Sequence, residues 1–268
     1  MPNSFFRFKQ FTVNQDRCAM KVGTDGVVLG VTAEFSCCAV ATTVLPAEPF
    51  AEGAAGGSVE PLRLVDVGTG TGLVSLMVKQ RHPHAQVTAV EIDPDAASQA
   101  QENFDASPWH IEAVCASWQD FTADAARLGV MYDGVFCNPP YFTASLKTPS
   151  AQRSLARHND SLPYNELTMG VSAVLRVGGI FYVILPASDM ESFNKQVVKA
   201  ELSLAEIIYV HPVAGATPKR VVLKYIKHPA TVRGGQGVVE KHLTIETAER
   251  GVYTEQFTQM VRDFYLNL

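Results

Sequence analysis

Residues 61–72 read Pro61-Leu62-Arg63-Leu64-Val65-Asp66-Val67-Gly68-Thr69-Gly70-Thr71-Gly72. The apolar run reads as a short buried strand that breaks into a glycine turn, and Leu73–Gln80 then reads as a helix. Strand, glycine turn and helix together form the context that a nucleotide-binding loop requires. Glycines there let the backbone approach a ligand and take positive φ. The spacing is Gly-x-Gly-x-Gly, not the Gly-x-Gly-x-x-Gly of dinucleotide folds, which hold pyrophosphate at a helix N-terminus. An acid ahead of the loop, Asp66, repels phosphate and suits a cation or a hydroxyl donor.

Downstream, Gln86–Val90 is a second strand ending in Glu91-Ile92-Asp93-Pro94. An acid at that strand end, about 20 positions past the glycine loop, suits hydrogen bonding to both hydroxyls of a ribose. Pro94 takes the favoured first position of a helix over 94–106. Strands follow at 110–115 and 132–137. A helix over 164–177 is broken by Gly178-Gly179, and Ile180–Leu185 is the next buried strand. A helix fits 190–200, strands fit 203–210 and 219–226 as an antiparallel pair, and Thr254–Leu266 is a final helix. This alternation predicts an α/β fold with a doubly wound, mostly parallel sheet.

The strand over 132–137 runs into Phe136-Cys137-Asn138-Pro139-Pro140-Tyr141. Two prolines cannot continue a ladder, because neither has an N–H to donate. The chain therefore leaves the sheet carrying an amide and an aromatic ring. The Asn138 and Pro139 carbonyls suit a planar amino group, and Tyr141 suits the face of the ring bearing it. Taken alone, the same residues also read as a strand-ending turn with a surface tyrosine.

Upstream, residues 5–13 alternate aromatic with polar and read as a strand, turned by Asn14-Gln15-Asp16 and returned over Arg17–Met20 as a hairpin. Lys21-Val22-Gly23-Thr24-Asp25-Gly26 precedes a helix over Val27–Phe35, with Thr24 or Asp25 as its cap. Residues 36–60 are rich in Ala, Gly and Pro and read as a flexible insertion. The expected organisation is one domain over 1–268: a hairpin and helix over 1–35, the insertion, and a core over 61–268.

The 268 residues are 47% hydrophobic and 18% charged, as expected of a globular chain with a large core. A net charge of -5 gives no global attraction to nucleic acid, so an RNA partner needs a local patch. The five cysteines fit no zinc spacing and read as thiols of a reducing compartment. No signal peptide and no apolar run of the ~20 residues that span a bilayer is read, which predicts a cytoplasmic protein without membrane or metal partners.

Asp66-Val-Gly-Thr-Gly-Thr-Gly72, Glu91 and Asn138-Pro-Pro-Tyr141, in that order at strand ends, resemble the class I S-adenosylmethionine-dependent methyltransferases. A closer resemblance covers nearly the whole chain outside the insertion. The opening Phe-Lys-Gln-Phe-Thr-Val, the run Asp16–Gly26, the stretch Arg153-Ser-Leu-Ala-Arg157-His158 and the close Tyr253–Leu266 resemble the YfiC/TrmN family, which methylates N6 of the adenosine beside the anticodon of a bacterial valine tRNA. The resemblance implies a seven-stranded Rossmann-like sheet with a small N-terminal hairpin extension, with S-adenosylmethionine as cofactor and tRNA as partner. Implied as catalytic are Asn138, Pro139 and Tyr141. Implied for the cofactor are Asp66, Gly68, Gly70, Gly72, Glu91, Ile92 and Asn138, with Lys21 and Thr24 at its methionine end. Arg153, Arg157 and His158 are implied for the substrate.

The family's third strand ends in an Asp that receives the cofactor's adenine amino group; this chain has Ser117 there, a hydroxyl acceptor without charge assistance, and Trp118 beside it as a stacking surface. Arg7, Lys9, Arg17, Lys219, Arg220 and Lys224 are further candidate RNA contacts. Among enzymes, a protein glutamine-N5 methyltransferase shares Asn-Pro-Pro-Tyr but brings a helical N-terminal domain, and an rRNA guanine-N2 methyltransferase is a third reading. From another class, a non-catalytic RNA-binding or assembly factor is set against them.

Overall fold

A computed structural model describes residues 3–35, 60–140, 162–229 and 237–268. The chain opens with an antiparallel hairpin, β1 (Phe5–Arg7) and β2 (Thr12–Asn14). The expected single strand over 5–13 is thus two, and the return lies at Phe8–Phe11 rather than at Asn14–Asp16, with Phe8 N–H donating to Phe11 O across 2.8 Å. The reason is a change of phase. Phe8, Phe11 and Val13 all face the core, and the odd spacing from 8 to 11 requires a turn between them. The helix α1 (Thr24–Thr32) follows; its N-cap is Gly23 with no side-chain cap, so neither Thr24 nor Asp25 caps it.

Three strands then define the centre: β3 (Arg63–Val67), β4 (Gln86–Glu91) and, beyond β5 (Glu112–Cys115), β6 (Tyr132–Cys137). Parallel strands need crossovers, and helices α2 (Leu73–Arg81), α3 (Pro94–Asp105) and α4 (Trp118–Leu128) supply them. After α5 (Tyr164–Val174) come β7 (Leu175–Pro186), α6 (Met190–Val197), β8 (Leu202–Val213), β9 (Arg220–Lys227), β10 (Val239–Glu246) and α7 (Glu255–Val261). The sheet has eight strands in the order β10-β8-β9-β7-β6-β3-β4-β5. Only β9 is reversed among them.

The count of eight replaces the expected seven because β10 joins the edge beside β8. Its first half, Val239-Glu240-Lys241-His242, is exposed and lacks the apolar alternation of a half-buried strand. The glycine break also differs from expectation. α5 ends at Val174, and Gly178 and Gly179 lie inside β7, where the pairing with β6 jumps from Tyr132↔Leu175 to Gly134↔Ile180. An added Cβ on Gly179 would meet Arg176 O at 2.8 Å, so the irregular stretch needs a bare residue there.

Period-two alternation sends neighbouring side chains of β3 and β6 to opposite faces. Leu64 and Phe136 pack with Leu29, Leu76, Met77 and Phe257 on one face. Val65, Val67, Val135 and Cys137 pack with Trp118, Leu167, Val171 and Phe193 on the other. Each such aliphatic or aromatic side chain contributes ~1.5–3 kcal/mol on burial, which fixes the register of the central strands. That register sets up the site: Val67 faces both Val90 and Cys137, so Gly68, Glu91 and Asn138 leave the sheet side by side.

Candidate active site

The chain runs outward from β3 to β4 and β5, then crosses back to β6. The crevice at the carboxyl ends of these strands is where doubly wound sheets bind ligands. The loop after β3 is folded by its own backbone: Gly68 and Thr69 N–H donate to Val90 O at 2.9 and 3.1 Å, and Gly72 N–H to Thr69 O at 3.0 Å. Gly70 has φ +56, and an added Cβ there meets nothing within 4 Å, so this side of the loop is open to a ligand. Gly72 has φ +81, and its Cβ would lie 2.4 Å from the Phe104 ring, so α3 closes the other side.

Asp66 is buried, with Oδ2 accepting from Thr69 Oγ1 and Ser75 Oγ, both at 2.7 Å. Burial pushes its carboxyl up to about 6, against the lowering effect of those two hydroxyls. Its clearest role in the described contacts is to hold the loop to the first turn of α2. Glu91 is half-buried: Oε2 accepts Gly70 N–H at 2.9 Å, and Oε1 accepts Ile92 N–H at 2.9 Å and Asp93 N–H at 3.0 Å. Oε1 is thus filled, and Oε2 keeps acceptor capacity for a ligand. Ile92 stands beside it, 42% exposed.

Ser117 is the N-cap of α4; Oγ accepts Asp120 N–H at 3.0 Å and donates to Asp120 Oδ2 at 2.7 Å. A carboxylate therefore sits one hydrogen bond from the position where the resemblance places one directly. Sequence reasoning missed both α4 and Asp120, although Ser-x-x-Asp is a helix-start signal. Trp118 corrects an expectation. It is only 4% exposed, lies parallel to Phe121 at 5.6 Å and donates from Nε1 to Leu167 O at 3.3 Å. The first turn of α4 turns that ring into the core, which removes it as a stacking surface.

Asn138 is half-buried and Pro139 buried at the end of β6. Asn138 Nδ2 lies 4.0 Å from Met20 Sδ, which brings the Asp16–Gly26 run against the Asn-Pro-Pro turn. That run is held by polar side chains that sequence reasoning did not single out. Gln15 Oε1 accepts Val22 N–H at 2.8 Å, and Gln99 Oε1 accepts Arg17 N–H at 3.1 Å. Asn103, fully buried, accepts Asn14 N–H at 2.9 Å and donates to both Asn14 O and Thr71 O at 2.9 Å. Gln99 and Asn103, four apart on the buried face of α3, were the available signal. Lys21 and Thr24 stand exposed on this run, with Lys21 Nζ 3.4 Å from Asn3 O. Asp25 pairs with Arg220 Nε at 2.9 Å and ties the start of α1 to the start of β9.

Tyr141, Arg153, Arg157 and His158 lie outside the described residues, as does the insertion except for Glu60. Of the other candidate RNA contacts, Arg17 pairs with Glu102, Lys9 donates to Arg262 O, Arg220 pairs with Asp25, and Lys224 lies 5.7 Å from the centre of the Tyr182 ring. Arg7 and Lys219 form no ion pair among the described residues. No group of three or more metal-ligating side chains occurs among the described residues, and no helix among them is long and apolar enough to cross a membrane.

Two solved structures share the fold. One, from Agrobacterium tumefaciens and described as a predicted O-methyltransferase, aligns with TM-score 0.52 at 19% identity over 79% of this chain and 95% of its own. The other, a T. thermophilus 16S rRNA N2 G1207 methyltransferase, aligns with TM-score 0.52 at 14% identity over 84% of this chain and 50% of its own. A family model for the methyltransferase small domain matches residues 58–163. The chain thus shares the doubly wound fold of these methyltransferase structures.

Full-length relatives narrow the class. Proteins of Phocaeicola vulgatus and Bacteroides fragilis named tRNA1(Val) (adenine(37)-N6)-methyltransferase are 40% and 41% identical, over 100% of both chains. One of Shewanella baltica with the same name is 36% identical over 97% of this chain and 98% of its own. The chain belongs to the tRNA1(Val) adenine-N6 methyltransferase family, and it is an enzyme.

Proposed function

We propose that this protein transfers a methyl group from S-adenosylmethionine to N6 of an adenine in a valine tRNA, in the cytoplasm. The observation that carries this reading is the side-by-side exit of Gly68, Glu91 and Asn138 from three adjacent strands. A cofactor seated on the first two loops lies next to an amide that can hold an exocyclic amine.

The residues present fit the cofactor. The open side of Gly70 admits a ligand against the backbone, Glu91 Oε2 offers its remaining acceptor site to a ribose hydroxyl, and exposed Ile92 offers an apolar face to the adenine. The Ser117–Asp120 pair is assigned to the adenine amino group, with Asp120 supplying the charge that Ser117 lacks. Lys21 and Thr24 are assigned to the methionine end. When bound, S-adenosylmethionine supplies a methyl group activated on a sulfonium.

The protein's own task is to prepare the nucleophile. Adenine N6 is weakly nucleophilic because its lone pair is delocalised into the ring. Asn138 Oδ1 and the Pro139 carbonyl accept its two hydrogens, which favours a pyramidal nitrogen with its lone pair free. The resemblance assigns Tyr141 to stacking on the extruded base, a stack worth ~1–3 kcal/mol. Because the product nitrogen is cationic until it loses a proton, deprotonation follows methyl transfer and no base is needed beforehand. Orientation supplies much of the acceleration.

The test is transfer of labelled methyl from S-adenosylmethionine to total bacterial tRNA, with nucleoside analysis. Label in N6-methyladenosine of a valine tRNA is expected. Label in N2-methylguanosine or in a protein glutamine, or no transfer at all, overturns the reading.

A further inference from the structure

A cleft of about 420 Å³ lies between the hairpin, the start of α1 and the C-terminal segment, and of its lining the reaction above uses only Thr24. Its size falls in the ~300–1,000 Å³ range of small-ligand pockets. One wall is aromatic. Tyr253 and Tyr265 have ring centres 6.2 Å apart, and Phe6 lies 6.0 Å from Tyr265. Another wall carries Arg7, exposed and without an ion pair among the described residues. The third is Val22, Gly23 and Thr24. That wall continues the run whose Met20 Sδ lies 4.0 Å from Asn138 Nδ2.

We propose that this cleft is a second nucleotide subsite: it takes a base flanking the methylated adenine, stacked on the tyrosines, with the adjoining phosphate on Arg7. The proposal rests on the tRNA reading above. Extruding the target base unstacks its neighbours, and single-stranded RNA bases stack on aromatic side chains. Exposed guanidinium beside rings is the pairing that such a strand needs. In a chain of net charge -5, attraction has to be local, and an aromatic cleft with a cationic rim provides it.

The probe is the anticodon stem-loop of a valine tRNA carrying 2-aminopurine next to the target adenine. Binding to the unaltered protein should quench its fluorescence. Tyr253→Leu should remove most of the quench, and the surface variant Arg7→Ala should weaken stem-loop binding about 10-fold, with S-adenosylmethionine affinity unchanged in both. Full quench and full affinity in both variants, alongside normal methylation by the unaltered protein, overturn the subsite and leave the tRNA reading standing. Failure of the unaltered protein to methylate the stem-loop or whole tRNA overturns both.

Discussion

Glu91 Oε2 accepts the Gly70 N–H across 2.9 Å, so one carboxylate fastens the glycine loop of β3 to the end of β4. Its other oxygen holds the amides of Ile92 and Asp93. The group proposed for the ribose is thus also the clamp on the glycine loop.

Glu91→Gln keeps the shape but replaces one accepting oxygen by a donor that must face an N–H. A hydrogen bond to a charged group is worth ~1.5–3 kcal/mol, so cofactor affinity should fall about 10- to 100-fold. Titration calorimetry with S-adenosylmethionine checks this, and affinity within twofold of the parent would remove Glu91 from the site.

Gly72→Ala combines positive φ with a Cβ 2.4 Å from the Phe104 ring. Strain and overpacking together should cost about 2–4 kcal/mol in urea unfolding. Adding Phe104→Leu should recover only part of that loss, because the smaller side chain relieves the clash and not the φ.

Asp66 titrates higher in the fold than in the unfolded chain, from 3.8 up to about 6, chiefly through burial. The folded protein therefore holds that proton more tightly. The stability contributed by the proton is fully present below about pH 4 and is lost as pH rises through about 6, a change of ~3 kcal/mol. Asp66→Asn carries no such charge, so relative to the parent it should gain stability by that order between about pH 4 and pH 7. Urea unfolding at both pH values checks the sign, and an equal difference at both would contradict it.

Asp120→Asn leaves Ser117 capped while removing the charge beside it. Cofactor binding should weaken about 10-fold, with the thermal midpoint shifted by less than the 0.5–2 kcal/mol that loss of a whole cap costs. Ser117→Asp should restore the affinity in the Asp120→Asn background.

Much of this was legible in the chain because the signals were local. The strand at 132–137, the glycine loop and Pro94 at the head of α3 are each decided by neighbouring residues. What escaped depends on partners distant in sequence. β10 is exposed over its first half and becomes a strand only by pairing with β8. Trp118 could not be told from a surface ring until α5 was seen to receive its indole N–H. Gln99 and Asn103 look like ordinary polar residues of a surface helix until the hairpin turns back onto them.

The central claim is that Asn138 acts on the nucleophile and not on the cofactor. Single-turnover methylation of valine tRNA by Asn138→Ala, with S-adenosylmethionine affinity measured alongside, tests it most directly. The account predicts a rate at least about 100-fold lower with cofactor affinity unchanged. Near-normal transfer, or a rate loss matched by an equal loss of cofactor binding, would contradict it.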